Sequence, residues 1–125
     1  DWGKLIEAIE LFRKQEAICA ALGHQKGLAQ SYIHQALILA QLGKSKEAMS
    51  LYKKSEGVLE RIGSKDGLLI NYTNQAILLQ ETLQKPNQAE KMLQKAWVLA
   101  KDINAISEIH QIENLFKKYH LLTPQ

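Results

Sequence analysis

An all-α fold, arranged as an antiparallel helix-hairpin solenoid of about six helices, is what this 125-residue sequence predicts. Three observations carry that expectation. The first is an internal duplication. Residues 1–40 laid over 41–80 without a gap are identical at 14 of 40 positions: Gly3/Gly43, Lys4/Lys44, Glu7/Glu47, Ala8/Ala48, Leu11/Leu51, Lys14/Lys54, Glu16/Glu56, Gly23/Gly63, Gly27/Gly67, Leu28/Leu68, Tyr32/Tyr72, Gln35/Gln75, Ala36/Ala76 and Leu39/Leu79. A fixed period of about 40 residues is the signature of stacked supersecondary units. The second is helical spacing of apolar residues without strand-like alternation. Leu5, Ala8, Ile9, Phe12, Cys19 and Leu22 make one stripe, and Ala48, Leu51, Tyr52, Leu59 and Ile62 make its counterpart. The third is a glycine closing successive apolar runs, at Gly23, Gly43 and Gly63, where a left-handed residue ends a helix.

The elements follow in order. A first helix is expected over 4–22, stopped by Gly23, and a second over 26–42, stopped by Gly43. Gly27 stands early in the second helix and recurs as Gly67 early in the fourth. Glycine there weakens a helix by about 1 kcal/mol relative to alanine, so the recurrence suggests close helix approach or a loose first turn. A third helix spans 45–62 and ends at Gly63; Gly57 stands inside it where the counterpart is Ala17, and the sequence offers no reason for it. A fourth spans 66–83 and a fifth 87–102. Pro86 suits the start of the fifth because a first-turn residue needs no N–H. Asn104 can end the fifth helix and introduce a sixth over 105–119. Connections this short set neighbouring helices antiparallel. A weaker third copy begins at Gln88, one residue out of phase, with Ala89 for Ala48 and Leu93 for Tyr52. The whole reads as one domain, 1–125, made of a partial repeat 1–23, repeats 24–63 and 64–104, and the terminal helix 105–119.

Composition narrows the functional classes. The net charge is +3, and the basic residues are scattered among acids, with Lys53/Lys54 and Lys117/Lys118 the only adjacent lysine pairs. A nucleic-acid binder concentrates its basic residues on one face, so these lysines read as solvated surface. No window approaches the roughly 18 apolar residues that cross a bilayer, and no charged-then-apolar leader opens the chain. The start at Asp1 without Met points to a piece of something longer. A single cysteine, Cys19, leaves no intrachain disulfide and suits a reducing, cytoplasmic setting. It sits in an apolar stretch without basic neighbours and reads as buried filler rather than a reactive thiol.

Catalytic chemistry is not expected, nor a cofactor, nor a metal. His24, His34, His110 and His120 lack metal-ligand spacing, and His110 with Glu113 reads as a surface pair on one helix. Gly43-Lys44-Ser45 is the tail of a phosphate loop without its leading glycine, and reads as a helix end followed by a helix start. Tyr32 and Tyr72 occupy repeat positions and read as packing residues rather than base-stacking platforms.

Tyr32…Ala36…Leu39 and Tyr72…Ala76…Leu79, with Ala8…Phe12, Ala48…Tyr52 and Ala89…Leu93, resemble the tetratricopeptide repeat family in its longer, about 40-residue form. The first set matches the family's helix A and the second its helix B. The resemblance covers most of the chain to about residue 102, strongly in the two matching copies and thinly after Leu83. Departures are Gln35 and Gln75, where the family usually has leucine and where an amide must find a partner or water, and Leu83 in place of a glycine in a loop one residue longer. The phase of the pattern starts this chain on a helix B, which leaves Leu5, Ile6 and Ile9 as an apolar flank open to self-association or to preceding repeats.

The resemblance implies a non-catalytic protein-protein interaction module that binds a peptide or protein segment on the concave, helix A side. The implied groove residues are Gln30, Ile33, His34, Leu37 and Gln41 from one unit and Ile70, Thr73, Asn74, Ile77 and Glu81 from the next. Asn74 matches an asparagine that family members use to hold a ligand's backbone, and His34 takes the same place one unit earlier. Both could instead bond to a neighbouring helix. No basic residue lies between Lys26 and Lys44 or between Asp66 and Lys85, so an extended or helical apolar segment fits better than an acidic tail. The alternatives are a structural or self-association spacer and an accessory repeat domain of a larger signalling protein or ATPase.

Overall fold

A computed structural model describes residues 1–124. Its six helices are α1 (Trp2–Leu22), α2 (Gln25–Gln41), α3 (Ser45–Ile62), α4 (Lys65–Glu81), α5 (Pro86–Asp102) and α6 (Ile106–Lys118), and no strand occurs among the described residues. The fold is all-α. α1 begins two residues before the expected start because the Asp1 carboxylate accepts a hydrogen bond from the Gly3 N–H at 2.8 Å and caps the helix. α4 stops two residues early, since the chain must turn through Gln84 at φ 53° before Pro86 opens α5 at its first position.

The chain falls into two compact units, Asp1–Ser64 and Lys65–Gln125. In the first, α2 packs against both α1 and α3. Ala29, Ala36 and Ala48 are fully buried, with Ile9, Ile33, Leu39, Tyr52 and Leu59 around them. The small residues let the helices come close enough for short side chains to bridge them. The Ser31 hydroxyl donates to the Phe12 carbonyl at 2.7 Å, and the Ser55 hydroxyl donates to the Ala29 carbonyl at 3.0 Å. Gln35 is buried and finds its partner across the same interface: its Nε2 donates to Glu16 Oε1 at 2.7 Å and to Ser31 Oγ at 3.1 Å. Burial pushes the Tyr52 hydroxyl up to about 12. The Lys54 ammonium lies 5.9 Å from the Tyr32 ring centre, so one lysine of α3 reaches over α2.

In the second unit α5 packs against α4 and α6. Leu69, Ala76, Leu79, Ala89, Leu93, Ala96, Ile112 and Phe116 form its interior. Gln75 is buried too, and its amide donates to Asn71 Oδ1 one turn earlier. Lys65 and Asp102 form an ion pair at 2.8 Å that ties the start of α4 to the end of α5.

The turns divide along the same line. Gly23, Gly43 and Gly63 are left-handed, at φ 69°, 81° and 68°, as the glycine spacing predicted. The second unit turns through Gln84, Asn104 and His120, at φ 53°, 56° and 59°. Asn104 was expected in that place; the other two follow no glycine pattern.

Gly27 is settled in favour of close approach. The His24 ring caps α2 by accepting from the Gly27 N–H at 3.0 Å. A Cβ on Gly27 would collide with that ring and stand 2.8 Å from Cys19 Sγ on α1. Gly57 is the opposite case, since nothing lies within 4 Å of the place a Cβ would take. Gly27→Ala is therefore expected to destabilise the chain by about 1–3 kcal/mol through overpacking. Gly57→Ala is expected to stabilise it by about 0.5–1 kcal/mol through helix propensity. Urea unfolding of the two variants checks this, and shifts of the same sign contradict it.

Candidate binding cleft

Residues three and four apart along a helix share one face. In α4 that spacing lines up Ile70, Thr73, Asn74 and Ile77, with Leu69 beside them; in α6 it lines up Glu108, Gln111, Asn114 and Leu115. The two rows face each other across a cleft of about 370 Å³, with α5 packed against both helices. The walls are mostly apolar. Thr73 is occupied locally, its hydroxyl donating to the Leu69 carbonyl at 2.8 Å. Among the described residues the side-chain amides of Asn74, Gln111 and Asn114 take part in no hydrogen bond, and Glu108 is the single charged group in the lining.

The carboxyl ends of the two helices are joined next to the cleft. Glu81 Oε2 accepts from the Tyr119 hydroxyl and from Lys118 Nζ, the latter at 3.2 Å. The Tyr119 hydrogen bond, helped by Lys118, holds the Glu81 carboxyl below its ordinary range, against a smaller opposing effect of burial. Burial and the Glu81 charge both push the Tyr119 hydroxyl upward.

Of the residues implied for a groove, Ile70, Thr73, Asn74 and Ile77 come together in this cleft. Glu81 is taken up in the clasp with Tyr119 and Lys118. On α2, Gln30, His34, Leu37 and Gln41 are exposed, and the His34 ring stacks on Phe12 of α1 with centroids 4.6 Å apart. Ile33 does not belong to a surface: it is buried. It lies four residues after Ala29 and three before Ala36, on the stripe turned toward α3, where Ser55 bonds to Ala29.

The expected apolar flank also shifts. Ile9 is buried and Leu5 half-buried, while Ile6 is exposed. Leu5 and Ile9 share the face of α1 that carries Phe12, Glu16 and Cys19, and that face meets α2. The exposed apolar side chains Leu11, Ile18 and Leu22 stand on another side.

The α6 wall was missed by sequence reasoning, although a signal existed. The third copy is displaced by 41 residues rather than 40, and adding 41 to Ile70, Thr73 and Asn74 gives Gln111, Asn114 and Leu115. Among the described residues no three His, Cys, Asp or Glu side chains gather as a metal site, and no helix is long and apolar enough to cross a membrane. Comparison of the chain with protein-family models, curated proteins and solved structures found no match.

The clasp has a pH signature. Glu81 is depressed, so its contribution is present above about 4.5 and is lost as pH falls through its folded value. Tyr119 is raised, so its contribution is full below about 10 and is lost as pH rises through its folded value. Tyr119→Phe should cost roughly 0.5–1 kcal/mol at neutral pH, a modest figure because both groups are partly solvated. The gap between wild type and variant should be flat at neutral pH and shrink toward both extremes. Urea unfolding across pH measures it, and a gap that grows on either limb contradicts the assignment.

Proposed function

We propose that this chain is a non-catalytic interaction module that holds an extended, largely apolar segment of another polypeptide in the α4–α6 cleft. The observation that carries the reading is the set of amides at Asn74, Gln111 and Asn114, which the fold itself leaves unengaged beside apolar Leu69, Ile70, Ile77 and Leu115. A side-chain amide donates and accepts at once, so it matches the N–H and C=O of a peptide unit. Alternate side chains of an extended segment would then drop onto the apolar walls. No lysine or arginine lines the cleft, so an acidic tail would meet no counter-charge, and Glu108 favours a basic residue beside the apolar ones. The resemblance to tetratricopeptide repeats supports the same face, since that family grips peptides along helix A. The same resemblance underlies our reading of the chain as part of a scaffold, and the lone, buried Cys19 suits a cytoplasmic one.

Fluorescence polarisation with capped heptapeptides bearing leucine or isoleucine at alternate positions and one lysine tests the reading. Asn74→Ala and Gln111→Ala should each weaken binding by about two- to tenfold, with circular dichroism unchanged. Unaltered affinity in the double variant, or tighter binding when lysine is replaced by glutamate, removes the cleft as the site.

A further inference from the structure

α1 and α3 hold equivalent places in the duplication, yet their surfaces differ. Leu11, Ile18 and Leu22 of α1 align with Leu51, Val58 and Ile62 of α3. On α3 the middle of this stripe is turned to α2: Ser55, which lies within it, donates to the Ala29 carbonyl, Val58 is 5% exposed and Leu51 half-buried, while Ile62 at the helix end stays 42% exposed. On α1 the stripe lies open, with Leu11 64%, Ile18 59% and Leu22 77% exposed. α2 meets α1 elsewhere, through Phe12, Glu16 and Cys19. α1 therefore presents a helix-packing face of the kind α3 uses.

That face has its own regularity. Ala8, Leu11, Gln15, Ile18 and Leu22 are spaced three and four residues apart in alternation, the spacing of a seam between paired helices. Gln15 is the one polar member, and an amide can pair with its own kind.

The chain itself indicates what does and does not fit there. On α3 the cover is α2, through Ala29, Tyr32 and Ala36. The corresponding positions of α6 are His110, Glu113 and Lys117. A charged face of that kind cannot cover an apolar stripe without stranding its charges, so copies do not join head to tail through α6. A stripe that matches in pattern and polarity is the α1 stripe of another molecule. We infer that a second copy of this chain docks there, α1 against α1, about a twofold axis. The three side chains leave roughly 300–400 Å² of apolar surface open, the size of the largest patch on an ordinary monomer. That is about half of what each partner gives to a standard interface, so the pair is a weak one that forms at roughly 100 µM.

Sedimentation equilibrium of the intact chain from about 1 to 500 µM spans that concentration. The expected mass rises from one chain toward two. The double variant Leu11→Gln/Ile18→Gln should stay single with an unchanged circular dichroism spectrum, because both side chains already face water. Val98→Gln, at an exposed apolar residue on α5, should pair like the wild type. A wild type that stays single throughout, a double variant that still pairs, or a loss of pairing in Val98→Gln overturns the inference. So does a single wild type that binds a synthetic peptide of residues 25–41, since the face then belongs to a foreign helix like α2.

Discussion

The close approach of neighbouring helices is the constraint from which the rest of each unit follows. It is set by residues with almost no side chain: Ala29, Ala36 and Ala48 in the first unit, Ala76, Ala89, Ala96 and Ala100 in the second, all at or near zero exposure. Gly27 takes this furthest, because the space a Cβ would need is already shared by His24 and Cys19. Only at such short separation can a serine hydroxyl on one helix reach a main-chain carbonyl on the next, as Ser31 and Ser55 do. Bulky residues such as Tyr52, Leu59, Leu93 and Phe116 then fill the wedges that the small ones leave.

Polar groups inside this packing add direction to it. Gln35 joins Glu16 and Ser31 in one network, and Ser31 in turn holds the Phe12 carbonyl. Sliding α2 along α1 by a turn would break all of these at once, leaving buried polar atoms without partners. Apolar contacts alone tolerate such slips far better. In the second unit Gln75 likewise donates to the residue one turn earlier, which is Asn71 where the first unit has Ser31. The cleft depends on similar economy: α4 and α6 both lean on α5, and the space between them survives because their facing residues are of middling size and the clasp at Glu81 joins their ends.

Helices and turns were legible because their signals are local. The left-handed glycines, Pro86 at the first position of α5 and Asn104 after its end are all fixed by backbone geometry within a few residues. What could not be read was which side of a helix meets which neighbour. Ile33 looked like a groove residue by its place in the repeat, and the α2–α3 contact buried it. Leu5 and Ile9 looked like an open flank, and α1 turned them toward α2 instead. Glu81 looked available until Tyr119, 38 residues on, supplied a hydrogen bond. In each case the deciding partner lies far along the chain, where single-helix periodicity carries no information. On α4, Ile70, Thr73, Asn74 and Ile77 line the cleft because α6 stands across a gap instead of against them.

The contrast between the turns bears on how each half of the chain can change. The first unit has glycine at every left-handed corner; the second places Gln84 and His120 there, with Asn104, the better tolerated of the three. A side chain in that conformation costs on the order of 1 kcal/mol. The second unit thus keeps a latent reserve: glycine at Gln84 or His120 would release strain without touching the interior. The first unit has spent that option. Drift at its corners leads only downhill, while drift in the second can go either way.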